Sequence, residues 1–330
     1  MTEEQQRDEA SALRDRDRRE FFRSAIGAAA VTAVGVAAVT AGSGALAATT
    51  ADSDVLNFAL SLKYLEAQFY SYSAFGTGLT AAQISGNVGI TGAAGTPGDA
   101  TGARQVTFTD PLVAQYAAEI AADKIAHVNF LRGLLGSAAV AQPTIDLGTA
   151  ATSPFSLVMG AAGVVPKGSA FDAYANDTNF LLAAFFIADV IVTAFKGAVA
   201  GNGVAVLFTD KTNLESAAGM LATDAYHAAI IRTTLYVKGA ATPTLRANTD
   251  GISNVRDGLD GVSDDDQGVT PATVNGNLTS NIVPTGADGI AFGRGSTEVL
   301  NIFYLNSAQV TKGGFFPNGL NGTYVSSGAN

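Results

Sequence analysis

Between residues 52 and 240, apolar side chains recur three and four positions apart in four long segments, which is the spacing of amphipathic helices. In the second segment, Asp110-Pro111 supplies an N-cap and a proline at the first helical position, and Gly136 follows as a stop signal. Similar capping residues and glycines bound the other three. The pattern therefore predicts four helices, over about 52–75, 111–135, 178–199 and 209–238.

The third predicted helix is apolar on nearly every face. From Phe180 to Phe195 its only polar residues are Asp189 and Thr193. This apolar run is too short and too interrupted for a membrane span. We therefore interpret it as the most buried helix of a bundle.

The connections between these segments predict the topology. Residues 76–109 form a long loop, with a short hairpin expected near 106–108. Residues 137–176 contain three prolines, and so long a link in a compact domain needs a topological reason. A single long crossover between the second and third helices of a bundle supplies that reason.

The chain changes character after residue 240. Residues 241–290 are rich in Asp-Gly turns, and a short helix is predicted from Ser296 to about residue 306. Apolar content is thin in this part of the chain. We therefore predict a four-helix bundle domain over 48–240 and a loop-rich C-terminal extension over 241–330 that packs on the bundle.

Residues 1–47 are organised like a secretory signal. A charged region contains Arg18-Arg19, an uncharged Ala/Val/Gly run follows, and Ala45-Leu46-Ala47 fits a small-x-small cleavage site. A retained membrane anchor is the alternative, because the run is long enough to be considered. We predict export by the twin-arginine route to the periplasm or the cell exterior, with no integral membrane span after cleavage.

Composition limits the possible partners and chemistry. The net charge of −10 argues against nucleic acid or an anionic membrane as a partner. The absence of cysteine excludes disulfides and thiol chemistry. The sequence names no partner, and self-association is possible.

The two histidines of the chain lie on the second and fourth predicted helices. His127 follows Lys124 by three positions and His227 follows Asp224 by three, so each pair shares one helix face. A carboxylate-x-x-His on each of two helices, with single carboxylates from two more, is how a four-helix bundle builds a di-iron or di-manganese centre. In this chain Lys124 stands where one carboxylate belongs.

Several stretches together resemble one known family. They are Leu56 to Leu60, Tyr64 to Tyr70, His127 to Arg132, Asp189 to Ala198, Asp224 to Arg232, Val299 to Ile302 and Gly313 to Gly322. With these stretches the chain resembles secreted bacterial ferritin-like domain proteins related to plant desiccation-associated proteins, over nearly all of the mature sequence. The resemblance implies a mainly α, ferritin-like four-helix bundle with one long crossover.

The resemblance also implies where metal ligands would lie. Family members carry glutamate at the positions of Lys63, Lys124, Ala188 and Asp224, whereas both histidines remain. A lysine ammonium within about 4 Å of a dication would be repelled by at least several kcal/mol at an effective dielectric of roughly 20. A protonated lysine also has no lone pair to offer a metal. Two metals are therefore not expected.

Two hypotheses remain open. In the first, Lys63 or Lys124 pairs with Asp224 and Glu66, no cofactor is bound, and the protein has a non-catalytic structural, stress-related or surface role. In the second, His127, Asp224 and His227 bind one iron, manganese or zinc ion in a metal-dependent oxidoreductase, assisted by Asp123 or Glu66.

Two further features are weaker candidates. The Asp-rich segment 250–266 is a candidate for calcium, although it lacks the residue order of an EF-hand and turn chemistry explains it equally well. Tyr64, Tyr70 and Tyr226 would be redox-active only beside a metal. Without a metal they are expected to be core groups or neighbours of the site.

Overall fold

The computed structural model describes residues 52–86, 97–200 and 208–330, so the predicted signal segment 1–47 lies outside the described residues. In chain order the elements are α1 (Asp52–Phe75), α2 (Ala81–Ile84), β1 (Ala100–Thr101), α3 (Pro111–Leu135), β2 (Ile145–Asp146), α4 (Pro154–Ala161), α5 (Asp177–Ala200), α6 (Lys211–Ala241), α7 (Thr244–Asp260), β3 (Ala272–Val274), β4 (Asn277–Thr279) and α8 (Ser296–Tyr304).

All four predicted long helices form, as α1, α3, α5 and α6. Their boundaries follow from local chemistry. The Asp110 carboxylate accepts a hydrogen bond from the Leu112 backbone N–H at the start of α3, and Gly136 ends α3 with a φ of 54°. Asp210 caps α6 in the same way through Thr212. The mainly α prediction is confirmed.

The four helices pack as two pairs, α1 with α3 and α5 with α6. The predicted crossover joins the second helix of one pair to the first helix of the other. It contains α4, which the sequence analysis did not predict, and β2, which pairs in parallel with β1. The expected hairpin at 106–108 is wrong, because the Val106 backbone N–H instead donates to the Ser73 carbonyl at the end of α1.

Helix α5 lies in the centre of the core, as predicted from its apolar sequence. Among the described residues, it is the one helix with the length and apolar composition to cross a membrane. Inside the fold, however, 83% of that apolar stretch is buried. Burial in the protein core therefore explains the apolar composition of α5, and no membrane is needed to explain it.

The C-terminal part is more helical than predicted. Residues 244–260 form α7, although the sequence analysis assigned them to a turn-rich region. Apolar residues of α7 do recur at helical spacing, at Leu245, Ile252, Val255 and Leu259, but the Asp-Gly pairs of the same stretch predicted turns. The buried stripe of α7 also includes Ser253, Arg256 and Asp260. The predicted short helix forms as α8, and its buried face carries Val299 and Phe303. The exposed β3–β4 hairpin turns at Asn275-Gly276, both with positive φ.

Candidate functional site

Four charged side chains meet between α1, α3 and α6. The Lys63 ammonium lies 2.7 Å from Glu66 Oε2 and 2.6 Å from Asp224 Oδ2. The Lys124 ammonium lies 2.7 Å from Glu66 Oε1 and 2.5 Å from Asp224 Oδ1. Each lysine therefore bridges the same two carboxylates, and we call this set the ammonium–carboxylate network. The predicted pairing of lysine with Asp224 and Glu66 is present, and both lysines take part in it.

The network is closed to water. Its four residues are between 0% and 1% exposed. The Phe195 ring, on α5, lies 4.5 Å from the Lys63 ammonium and covers one side of the site. Two positive and two negative groups balance one another, which is what allows charges to persist in an apolar interior.

Burial and pairing act in opposite directions on these groups. Burial raises the pKa of Asp224, but Lys124 and Lys63 outweigh burial and hold that pKa well below its usual range. Burial lowers the pKa of Lys63, and the attraction of Asp224 and Glu66 offsets only part of this effect. For Lys124 the same two carboxylates outweigh burial, so its pKa is raised.

The two histidines lie beside the network without joining it through hydrogen bonds. His127 Nδ1 is 3.9 Å from Asp224 Oδ1, beyond hydrogen-bonding range. His227 Nε2 is 3.0 Å from Asp123 Oδ2. Burial lowers the pKa of His127 to about 3, helped by repulsion from Lys63, and burial with repulsion from Lys124 also lowers the pKa of His227. Both imidazoles are therefore neutral at pH 7.

The donor set does not fit a two-metal centre. Both oxygens of Asp224 are within 2.6 Å of an ammonium, and Glu66 meets one ammonium through each oxygen. On α5, the position that the resemblance assigned to a metal ligand is Ala188, which has no donor atom and is buried. Within the ranges that the structure describes, no three His, Asp or Glu side chains are arranged to bind a metal ion. The one-metal alternative at His127, Asp224 and His227 stays a prediction.

The three candidate tyrosines have different environments. Tyr70 is fully buried near the network, and its hydroxyl has no hydrogen-bond partner among the described residues. Burial and the charges of Glu66 and Asp224 raise the pKa of Tyr70 well above its ordinary value. Tyr64 accepts a hydrogen bond from Arg132 and donates one to the Val140 carbonyl. Tyr226 is 75% exposed, so its assignment to the core or to the surroundings of the site is wrong.

A second buried charged cluster was not found from the sequence. Asp189 Oδ2 lies 2.7 Å from Arg232 and 3.1 Å from Arg256. Arg256 and Arg294 each lie 2.5 Å from Asp266, and Arg294 lies 2.5 Å from Asp260. We call these six residues the arginine–aspartate cluster. A single charged residue inside the apolar sequence of α5, Asp189, was the signal that a buried cation must lie opposite it.

This cluster also changes the interpretation of the Asp-rich segment. Asp260 and Asp266 are 4% and 5% exposed and are paired with arginines, so neither is free to bind a cation from solvent. Asp250 accepts hydrogen bonds from the Thr270 hydroxyl and backbone N–H. These carboxylates stabilise the fold of the C-terminal part.

Comparison with known proteins shows which proteins the chain is similar to. The chain is similar to the ferritin-like catalase Nec2 of Nesocodon mauritianus, with 28% identity over 282 residues that cover 82% of this chain and 84% of that protein. It is also similar to the desiccation-related protein PCC13-62 of Craterostigma plantagineum, with 27% identity over 280 residues that cover 81% and 82%. No solved structure gives a significant match.

The sequence model of the ferritin-like domain matches residues 51–237, which include α1, α3, α5, all but the last four residues of α6, and the ammonium–carboxylate network. The family resemblance is thereby confirmed, whereas bacterial origin and secretion stay predictions. The chain belongs to the ferritin-like domain family, with desiccation-related proteins among its relatives.

Proposed function

We propose that this protein is an exported, non-catalytic member of the ferritin-like family with a structural or stress-related role. The observation that carries the proposal is the ammonium–carboxylate network, in which Lys63 and Lys124 both bridge Glu66 and Asp224 at 2.5–2.7 Å. Function belongs to the site and not to the fold, so a ferritin-like bundle alone does not imply iron chemistry.

The charges of the network support a role without metal. A metal ion at this position would have to displace two ammonium groups, each with two short contacts to carboxylates. It would also leave those ammonium groups buried and unpaired, which costs several kcal/mol for each charge. The name of one relative, a desiccation-related protein, is consistent with a stress-related role.

Metal analysis of the purified, exported protein tests this proposal. The protein is incubated with iron(II), manganese(II) or zinc(II), dialysed, and analysed for bound metal, and its consumption of hydrogen peroxide is assayed. We expect no tightly bound metal and no peroxide consumption above that of the buffer. More than about half an equivalent of bound metal would overturn the proposal, because a closed ion-pair network leaves no set of ligands for it.

A one-metal oxidoreductase is the second candidate, and one observation favours it. The Nδ1 atoms of His127 and His227 are buried and have no hydrogen-bond partner among the described residues, and both rings are neutral. Neutral imidazole nitrogens are good metal ligands. One relative is named as a ferritin-like catalase. If metal binds, loss of that metal in both His127→Asn and His227→Asn would support this candidate, and retention in both would contradict it.

A further inference from the structure

We propose that Lys63 and Asp224 condense to form an intramolecular amide bond that joins α1 to α6 covalently. This inference rests on the ammonium–carboxylate network of the proposed function, but it adds a chemical step. The reacting groups are already in contact, because Lys63 Nζ lies 2.6 Å from Asp224 Oδ2. Both residues are at most 1% exposed, so neither group contacts bulk water.

Burial changes the chemistry that this pair can undergo. In water, an ammonium and a carboxylate are both solvated and do not condense. In a site without water, the charged forms lose their solvation, and a fixed contact replaces the encounter of two separate reactants. The Phe195 ring, 4.5 Å from the amine, keeps water from that side. The ion pair is the resting state, because Lys124 and Lys63 hold the pKa of Asp224 low. Transfer of a proton from Lys63 to Oδ2 along their hydrogen bond gives the reactive form, a neutral amine and a neutral carboxylic acid.

The neighbouring charged groups are placed to assist each stage. When the amine attacks Cγ of Asp224, negative charge develops on Oδ1, and the Lys124 ammonium lies 2.5 Å from that atom. A fixed cation at the developing oxyanion is the main electrostatic device for acyl transfer. Glu66 Oε2 lies 2.7 Å from Lys63 Nζ and is positioned to accept the second amine proton and release it to the leaving oxygen.

The reaction is balanced without any co-reactant. The Nζ–Cγ bond forms, the Cγ–Oδ2 bond breaks, and Oδ2 leaves as water with two protons that came from the Lys63 ammonium. No atom is oxidised or reduced. One positive and one negative charge disappear together, and Lys124 with Glu66 remains as a balanced ion pair at 2.7 Å.

Both lysines contact Glu66 and Asp224, but they differ in how readily they lose a proton. Lys63 makes hydrogen bonds to both Glu66 and Asp224, so one carboxylate accepts a proton while the other is attacked. Burial lowers the pKa of Lys63, whereas the two carboxylates outweigh burial and raise the pKa of Lys124. Lys63 is therefore the nucleophile, and Lys124 stays charged beside the oxyanion.

Mass spectrometry of the intact, exported protein tests the proposal without any mutation. The mass should be lower than the sequence mass by one water molecule, with the mature N-terminus fixed from its own peptide. Trypsin should fail to cleave after Lys63. A branched peptide should then join the segment that ends at Arg104 to the peptide Thr212–Arg232, which contains Asp224.

Two variants localise the bond. Lys63→Arg keeps the positive charge but removes the amine, so the full mass and the separate Thr212–Arg232 peptide should return. Lys124→Arg keeps the cation at the oxyanion, so the branched peptide should persist. Should Lys63→Arg fail to fold, the branched peptide of the unmutated protein still decides the question.

Three results would overturn the proposal. The first is an intact mass equal to the sequence mass with normal cleavage after Lys63. The second is loss of water located at an Asp-Gly pair such as Asp250-Gly251, which forms a cyclic imide with the same mass change. The third is a branch at Lys124. An unchanged mass in a metal-free protein rejects the amide bond but leaves the proposed function intact, whereas bound metal rejects the proposed function.

Discussion

At the scale of single residues, the main feature is that two lysines and two carboxylates share one site without water. Each ammonium contacts both carboxylates, so removal of any one group leaves another charge without its full set of partners. Breaking a buried ion pair by losing one partner costs about 3–5 kcal/mol. The stability of the network therefore depends more on the signs of its four charges than on the sizes of its side chains.

Reversal of both lysine charges should destabilise the protein strongly. In Lys63→Glu with Lys124→Glu, four carboxylates would lie together in a buried site without a cation. We expect the free energy of unfolding to fall by about 3–5 kcal/mol or more. Urea unfolding in the presence of a chelator measures the change.

The matched control makes the same change of net charge at the surface. Lys167 and Lys312 are exposed, and Lys167→Glu with Lys312→Glu should change stability by less than about 1 kcal/mol. If the buried and the exposed double variants melt alike, the two lysines do not form the network described above.

The pH dependence of stability tests the neutral state of His127. Its folded pKa of about 3 is below the ordinary value of 6.5, so between these values the unfolded chain binds a proton that the folded chain does not. The free energy of unfolding should therefore decrease as pH falls through this window, by about 1.4 kcal/mol per pH unit for one residue.

Comparison with His127→Gln isolates this contribution. Urea unfolding of both proteins at pH 7, 6, 5 and 4 should show a shallower loss of stability in the variant. Burial raises the pKa of Asp260 to about 6, which acts in the opposite direction over the same range, but that contribution cancels in the comparison. Parallel curves for the two proteins would contradict the lowered pKa of His127.

Some residues of the site could be predicted from the sequence. The family positions identified Lys63, Lys124 and Asp224, and charge balance then predicted that lysine pairs with carboxylate. The direct contact between His227 Nε2 and Asp123 Oδ2, at 3.0 Å, was not predicted from the sequence. That contact joins α3 to α6, and the relative position of two helices is not encoded in the period of either one.

At the scale of elements, the arginine–aspartate cluster joins helix α5 to the C-terminal part. Asp189 on α5 meets Arg232 on α6 and Arg256 on α7, and Arg256 continues to Asp266. Arg256 also donates to the Phe185 and Phe186 carbonyls of α5. One guanidinium thus satisfies two carboxylates and two backbone groups.

Replacement of Arg256 should weaken this junction. Arg256→Met preserves much of the side-chain volume but removes the charge, leaving two carboxylates short of a partner and two carbonyl groups unpaired. We expect a loss of about 3–5 kcal/mol in urea unfolding. Arg104→Met is the control, because Arg104 makes an ion pair with Asp172 at 50% exposure and should cost less than about 1 kcal/mol. Equal losses would contradict a structural role for the buried cluster.

The helices differ in how well they can be predicted from the sequence. α1, α3, α5 and α6 combine a long apolar period with capping residues, so their existence followed from the sequence. α7 also has apolar residues at helical spacing, but its Asp-Gly pairs predicted turns, and two of its buried positions are Arg256 and Asp260, which are stabilised by partners on other elements. That these two polar residues are buried is visible only in the tertiary structure, where their partners lie.

At the scale of the whole molecule, the C-terminal tail completes the hydrophobic core. Phe315 packs against Phe155 of α4, Phe186 of α5 and Phe303 of α8, with ring centroids 5.0–6.0 Å apart. The tail approaches α8 closely at Gly314, where a Cβ atom would lie 2.4 Å from the Phe303 carbonyl oxygen. The described residues accordingly belong to one compact unit.

Removal of the tail should therefore unfold the bundle and not merely shorten the protein. A chain that ends at Gly295 loses six fully buried apolar side chains, at about 1.5–3 kcal/mol for each. They are Val299, Leu300, Ile302 and Phe303 of α8 and Phe315 and Phe316 of the tail. The summed loss exceeds the usual stability of a domain. We expect the truncated protein to bind a hydrophobic dye and to show no cooperative melting, as followed by circular dichroism.

Leu278→Ser in the exposed β3–β4 hairpin is the control. The Leu278 side chain is 75% exposed, so this variant should melt like the unmodified protein. A truncated chain that still melts cooperatively would show instead that the bundle with α7 folds without the tail.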